Sequence, residues 1–362
     1  MPSSPKNKAS GRQFFYKPHT ERLLMKQNKV SEQVSSDVQS LKHEQVRRLN
    51  EKKYKLLLGR ISQAEKERDA VKQISEISTF TITPKSPSGQ AEATAVVLAS
   101  DWHYEERVKS QDVNGLNKFD IPIANERIKQ FFTATARMID VFSKDIKIPH
   151  LVLALLGDFI SNDIHDELVE INQRTPIDAV IEVQNLIASG IEFLLKNYKG
   201  DVLVVCHDGN HSRTTKKQRN ATESGHSLEF FMYHGIAGHF KGNKRIKFLI
   251  SASYHSYVKV YDQTIRFHHG HNIKYQGGIG GVFIPAFKAI SQWNKGHHAD
   301  LDCFGHFHQQ RDGGNFLLNG SLIGYNAYAL SIKAEFEKPK QTFFLVDKRR
   351  GKTVTTPICF DI

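Results

Sequence analysis

The chain has 362 residues, 39% of them hydrophobic and 24% charged, which is enough to form one large globular domain with an appendage. It has no run of 18 or more apolar residues, so the sequence argues against a membrane span, and its basic beginning lacks the apolar stretch of a secretory signal. Its three cysteines are far apart and form no Cys-x-x-Cys pair, which favours reduced packing residues in a cytoplasmic protein.

The net charge of +12 is concentrated near the N-terminus. Residues 1–90 hold 18 Lys and Arg against 9 Asp and Glu, so they carry +9 of that total. A basic arm on a nearly neutral body indicates a polyanionic partner, with nucleic acid first and an acidic membrane surface second. A solvated tail that aids solubility is an equally open alternative.

The N-terminal segments divide by composition. Residues 1–20 are rich in Pro, Ser and Lys and predict a disordered basic tail, whereas residues 21–82 predict a basic helical arm. Apolar residues at helical spacing leave open a short coiled coil, a helical hairpin, or an arm that orders with a protein partner or a second copy through residues 21–78. A turn-rich linker at 83–92 then leads to a compact domain at 93–362.

The compact domain alternates between short β-rich runs and helical stretches. Such alternation predicts an α/β domain with helix-covered sheets. The predicted strands are 93–100, 150–157, 201–206, 264–269, 301–305, 315–320 and 342–347, and the predicted helices are 122–144 and 176–197.

Polar side chains follow five of these seven strands. In open α/β sheets, ligands gather beyond the carboxyl ends of the strands, so we expect these side chains to meet at one edge. They are Asp101, His103, Asp158, Asn210, His211, His269, His271, His306 and His308, whereas His268 is expected to point to the other face of its strand.

This mixture of imidazole, carboxylate and amide groups suits divalent first-row metals better than Ca²⁺ or a thiolate zinc site. The set is too large for one tetrahedral ion. It fits two ions about 3.5–4 Å apart with a bridging carboxylate, a pair that lowers the pKa of a bridging water and neutralises phosphate oxygens.

The motifs D-x-H, GD, GNH, HGH and GHFH occur in this order between residues 93 and 325, and as an ordered set they resemble the calcineurin-like metallophosphoesterases. The longer segments "GDFISNDIHDEL", "GNHSRTTKK" and "NGSLIGYNAYA" are similar in sequence to those of members encoded by bacteriophages and prophages. The resemblance implies a four-layer αββα sandwich with a catalytic domain at 93–362 and, for a phage protein, a location in the host cytoplasm.

The resemblance also implies roles for individual residues. Two divalent metal ions are expected, with Mn²⁺ the first choice because nuclease members of the family use it, and Fe, Zn or Mg left open. The implied ligands are Asp101, His103 and His308 for the first metal, Asp158 as the bridge, and Asn210, His269 and His306 for the second. His211 is implied to bind the phosphate and to protonate the leaving oxygen.

One position departs from the family. Many members have an acidic residue after the GNH histidine that orients its ring, but this chain has Ser212. We therefore expect Asp163 or Asp208 to orient His211, with a weaker acid role for His211 as the alternative.

Substrate contacts are expected from cations near the motifs. Arg213 and Lys216, in the basic run 212–219, are placed to contact a further phosphate, although an exposed basic helix start explains that run equally well. His271 is expected to contact substrate or to serve as an alternative ligand.

These features together predict a dinuclear-metal-dependent phosphoesterase. The leading hypothesis is a phosphodiesterase or nuclease that acts on DNA through a metal-bridging hydroxide, with nucleic acid bound by the basic arm and the 212–219 run. The alternative is a phosphodiesterase or phosphatase for cyclic nucleotides or other small esters, with the arm as a docking element. A third is a non-catalytic scaffold, as in the retromer subunit of this superfamily, but the intact ligand set argues against it.

Overall fold

The computed structural model describes residues 57, 79–87, 90–275 and 281–360. The predicted tail and, apart from Leu57, the predicted arm up to residue 78 lie outside these residues. Within the described part of the chain, no helix is long and apolar enough to cross a bilayer.

The body contains two six-stranded sheets. The first has the order β1-β6-β7-β8-β10-β9 and the second has the order β12-β11-β2-β3-β4-β5. The strands are β1 Phe80–Ile82, β2 Glu92–Ala99, β3 Lys147–Leu155, β4 Asp201–Cys206, β5 Ile246–Ile250, β6 Ser256–Val260, β7 Gln263–Phe267, β8 Leu301–Phe304, β9 Arg311–Asp312, β10 Phe316–Leu318, β11 Lys340–Asp347 and β12 Gly351–Cys359.

Between these strands, the described residues form six α-helices. They are α1 Ile121–Phe142, α2 Asp166–Ile171, α3 Pro176–Asn197, α4 Leu228–His239, α5 Phe283–Trp293 and α6 Ala327–Ser331. The two long helices that the sequence predicts are confirmed. Each has an N-cap oxygen and an early proline: the Asp120 carboxylate accepts from Ile123 N at 3.1 Å, and the Thr175 hydroxyl accepts from Asp178 N at 3.3 Å.

Strand alternation explains how these elements stack. Along β2, Ala95 and Val97 pack in the apolar cluster that includes α1, α3 and α4, whereas Val96 and Leu98 pack in the cluster between the two sheets. A third cluster joins the first sheet to α5. The described residues therefore form two face-to-face sheets with helices outside them, and the α/β class with helix-covered sheets that the sequence predicts is confirmed.

All seven predicted strands are present, and the structure adds β1, β5, β6, β9 and β12. Strand β1 pairs in parallel with β6 at an edge of the first sheet. Because β1 falls within the predicted helical arm, the folded body begins at or before residue 80 and not at residue 93.

Parallel pairing brings the polar loops together. β2, β3 and β4 are adjacent parallel strands in the second sheet, and β7 and β8 are adjacent parallel strands in the first. Within each group, the carboxyl ends of the strands therefore lie side by side. All seven predicted ligands lie in the loops that follow these five strands.

Candidate metal centre

Three predicted first-metal residues form one cluster at this edge. The ligand atoms of Asp101, His103 and His308 all lie within 4.8 Å of one another. His103 Nε2 is 3.1 Å from His308 Nε2, and His308 Nε2 is 3.5 Å from Asp101 Oδ1. These three groups could hold one metal ion.

A second cluster contains Asp158, His269 and His306, again with ligand atoms within 4.8 Å of one another. His269 Nε2 is 3.0 Å from Asp158 Oδ2 and 3.1 Å from Asn210 Oδ1. The structure therefore brings together all four residues predicted for this site. Their role as metal ligands remains a prediction.

His211 lies close to one member of each cluster. Its ring, the ring of His103 and the Asp158 carboxylate form a third close group, and the centroids of the two rings are 4.7 Å apart. Its backbone N–H donates to Asp158 Oδ1 at 2.8 Å. His211 is thus adjacent to the carboxylate that is predicted to bridge the two metals.

The ring of His103 is oriented by a hydrogen-bond chain. The Ser161 hydroxyl donates to Glu106 Oε2 at 2.9 Å, so it accepts from the Nδ1–H of His103, also at 2.9 Å. This tautomer leaves the Nε2 lone pair of His103 directed at His308. Such outer contacts are typical of histidines that bind metals.

The ring of His269 is fixed in the same way. Its Nδ1–H donates to the Leu156 carbonyl oxygen at 2.7 Å, so Nε2 turns toward the oxygens of Asp158 and Asn210. Three acceptors then converge, and only a cation or a second ring proton satisfies them. Burial alone would lower the pKa of His269, yet the Asp158 carboxylate raises it to about 10. The position favours positive charge, which is the property a metal site needs.

The neighbouring groups hold charge states that suit metal binding. Burial and the nearby imidazole of His211 keep the pKa of His103 well below its ordinary value, so this ring is neutral. Burial would raise the pKa of Asp158, but the rings of His269 and His211 hold it well below its ordinary value. Neutral imidazoles and an ionised carboxylate are the forms that bind metals.

The backbone at the ligands is unusual. Five of the seven predicted ligands have positive φ, a conformation that costs about 1–3 kcal/mol for a residue other than glycine and that clusters at functional sites. They are Asp101 at 56°, His103 at 47°, Asp158 at 54°, His306 at 73° and His308 at 55°. Glycine is also required beside them, because a Cβ on Gly305 would lie 2.4 Å from Asp101 Oδ2.

The prediction that Asp163 or Asp208 orients the His211 ring was wrong. The ring Nδ1 of His211 contacts the Ser161 carbonyl oxygen at 3.0 Å, so a backbone group takes this role. Asp163 is exposed, and its carboxylate accepts from Asn172 Nδ2 at 3.4 Å. Asp208 is hydrogen-bonded to Ser227, and burial raises its pKa to about 7.

The three predicted substrate contacts differ in position. Arg213 is half-buried, and its Nη1 donates to the Asn210 carbonyl oxygen at 2.6 Å, which places the guanidinium beside the second cluster. Lys216 is exposed. His271 Nε2 is 3.1 Å from Glu223 Oε1, so this imidazole is held by a carboxylate near the centre.

Two buried glutamates near the ligands had no signal in the sequence. Glu105 Oε1 accepts from the backbone N–H groups of Ser161 and Asn162 at 2.9 and 2.7 Å. Glu229 accepts from Phe159 N, in the loop that holds Asp158, and from Gly209 N, in the loop that holds Asn210. Both lie far in sequence from their partners, so no local pattern could have identified them.

No protein-family model matches the chain, and no curated protein matches it. Among solved structures, it is similar to the hypothetical protein PH1004 from Pyrococcus horikoshii OT3, at 11% identity and a TM-score of 0.38, over 74% of this chain and 89% of the other. It is also similar to a single mutant of Vps29 from Entamoeba histolytica (13%, TM-score 0.27, 74% and 99%) and to Vps29 from Chaetomium thermophilum (12%, TM-score 0.30, 73% and 97%). With TM-scores below 0.5, these likenesses support no functional argument.

Proposed function

We propose that this protein is a metal-dependent phosphoesterase with a dinuclear centre. The observation that carries the proposal is the convergence of lone pairs from His269, Asp158 and Asn210 beside a second group of Asp101, His103 and His308. Two divalent ions bound there would supply a nucleophile at neutral pH and would neutralise phosphate oxygens.

The chain's own residues would complete the reaction. His211 Nδ1 is engaged with the Ser161 carbonyl, which directs Nε2 away from that contact as a proton donor to the leaving oxygen. The guanidinium of Arg213, anchored to the Asn210 carbonyl, would contact a phosphate oxygen and orient the ester. We propose Mn²⁺ as the ion at both metal positions.

For the substrate we propose a nucleic-acid phosphodiester, with DNA first. The support is the cationic loop beside the centre, in which Lys216, Lys217 and Arg219 are exposed beyond Arg213. A run of cations next to a hydrolytic centre suits a polyanion, and binding would weaken with salt. The basic residues 1–78 would add affinity for nucleic acid. The similarity of the motif segments to phage-encoded members also fits a nuclease.

A small nucleotide ester is the second candidate. Its support is that Glu223 and Asp208 line the same wall as Arg213, and that Glu223 pairs with His271. The Glu223 carboxylate would repel a second phosphate but would accept hydrogen bonds from a sugar or a base, so it favours a short substrate with one phosphate at the metal centre.

Hydrolysis assays with added Mn²⁺ test these proposals. Bis-p-nitrophenyl phosphate, p-nitrophenyl phosphate, cyclic nucleotides and linear single- and double-stranded DNA would be offered side by side. EDTA-sensitive DNA cleavage supports the nuclease, and activity on small diesters alone supports the second candidate. No metal-dependent hydrolysis of any ester would reject both.

A further inference from the structure

Glu229 is a fully buried carboxylate in the first turn of α4 that joins two ligand loops. Its Oε1 accepts from Phe159 N at 2.6 Å and its Oε2 accepts from Gly209 N at 2.8 Å. These donors directly follow Asp158 and directly precede Asn210. One side chain therefore bridges the loops that supply the predicted bridging ligand and one ligand of the second metal.

The two loops are packed backbone against backbone at this point. A Cβ on Gly157 would lie 2.2 Å from Gly209 N, and a Cβ on Gly209 would lie 2.0 Å from Asp158 Oδ1. No side chain fits between the loops. Their spacing therefore depends on the backbone atoms themselves and on the two oxygens of Glu229 that hold them.

Helix capping does not account for Glu229. The hydroxyl of Ser227 already caps α4 by accepting from Phe230 N at 3.1 Å. Within the described part of the chain, no Lys or Arg forms an ion pair with Glu229. Burial and the nearby Asp158 carboxylate raise the pKa of Glu229 to about 8. Two divalent ions beside Asp158 would favour the ionised form, in which both oxygens accept hydrogen bonds.

We propose that Glu229 is a positioning residue that fixes the spacing of Asp158 and Asn210 and so sets the affinity of the second metal. This inference rests on the proposed dinuclear function. Among the described residues, Glu229 hydrogen-bonds to the backbone of both loops and to neither ligand side chain. A glutamine at this position would present an NH₂ group to one backbone donor and release one of the two loops.

Metal titration of the full-length chain tests the inference. Metal-free protein would be titrated with Mn²⁺ by calorimetry, and electron paramagnetic resonance would distinguish a coupled Mn²⁺ pair from isolated ions. The wild type should bind two equivalents. Glu229→Gln should bind the first normally and the second about 10–100-fold more weakly, as expected for loss of an outer contact. The coupled signal should give way to that of isolated ions.

Glu92→Gln is the matched control. Glu92 is also fully buried and accepts backbone N–H bonds, from Lys85 at 2.9 Å and Ser86 at 2.5 Å, but it lies at the opposite end of β2 from the centre. Glu92→Gln should bind both ions as the wild type does. If it loses the second ion to the same extent, a general loss of stability explains the result and the inference is overturned.

The remaining outcomes are also decisive. Unchanged affinity for both ions in Glu229→Gln would overturn the inference while leaving the proposed function intact. A wild-type chain that binds fewer than two Mn²⁺ ions would overturn the proposed function and the inference with it. If Glu229→Gln fails to fold, Glu229→Asp replaces it, because the shorter side chain cannot reach both donors and should show the same selective loss.

Discussion

His268 and His269 are adjacent in sequence and both buried, yet they lie in opposite environments. His269 faces the Asp158 carboxylate, which raises its pKa to about 10 against the effect of burial. His268 stacks on Phe304 with ring centroids 4.9 Å apart, and burial together with Arg266 holds its pKa well below its ordinary value.

The surroundings of His268 extend the contrast. His255, 5.3 Å from it between ring centroids, has its pKa lowered to about 3 by burial and by His268. The Asp302 carboxylate there is already paired with Arg266 at 2.6 Å. A cluster of histidines therefore attracts a cation only where unpaired carboxylates converge with ring lone pairs, as they do around Asp158.

The largest expected effect comes from removing the carboxylate that defines the centre. Asp158→Asn keeps the shape but removes the charge facing His269 and the ions, so activity should be abolished. Metal affinity should fall by about 100-fold or more, beyond the range for outer contacts. Metal analysis and turnover measure both effects. An Asp158→Asn chain that retains full activity would refute the bridging role.

His211→Ala distinguishes a role in proton transfer from a role in metal binding. Loss of a general acid should lower turnover by about 10²–10⁴-fold, while both ions stay bound because His211 is not among the predicted ligands. Parallel assays of turnover and metal content measure this difference. Full turnover would remove His211 from the mechanism, and loss of an ion would make it a ligand.

The two neighbouring histidines can be compared directly by the same substitution. His269→Phe should weaken the second ion by at least about 10-fold. His268→Phe should leave metal content unchanged and alter the free energy of unfolding by about 1 kcal/mol or less. Among the described residues, neither ring nitrogen of His268 makes a hydrogen bond, and the Asp302 carboxylate 3.4 Å from its Nε2 is already paired with Arg266. Metal titration and thermal melting measure the outcomes, and equal metal loss in both variants would contradict the contrast.

The smallest effect is expected in the exposed cationic loop that contains Lys216. Lys216 is exposed, so Lys216→Ala should leave the hydrolysis of a small diester unchanged. If DNA is the substrate, the variant should reduce the slope of log affinity against log salt by about 1. Fluorescence anisotropy with labelled DNA at several salt concentrations measures this slope, and an unchanged slope would exclude a phosphate contact by Lys216.

The sequence predicted which polar residues would lie close together, because parallel strands align their ends and the residues after 100, 157, 206, 268 and 304 follow such strands. It did not predict β12, whose Thr-rich run contains Pro357, or β6, whose Ser256–Val260 run is short and half polar. The contacts of Glu229 join residues 70 and 20 positions away. Such contacts depend on tertiary packing and leave no periodic pattern.

The positive φ angles at Asp101, His103, Asp158, His306 and His308 have an evolutionary consequence. Asp and His adopt this conformation more readily than most residues, and β-branched residues almost never do, so backbone and metal chemistry select the same few side chains. Glycine would relieve the strain at each position but would remove the ligand. With the proposed function, sequence drift toward greater stability would oppose catalysis at these five positions, and a descendant without that activity would be expected to accumulate glycine there.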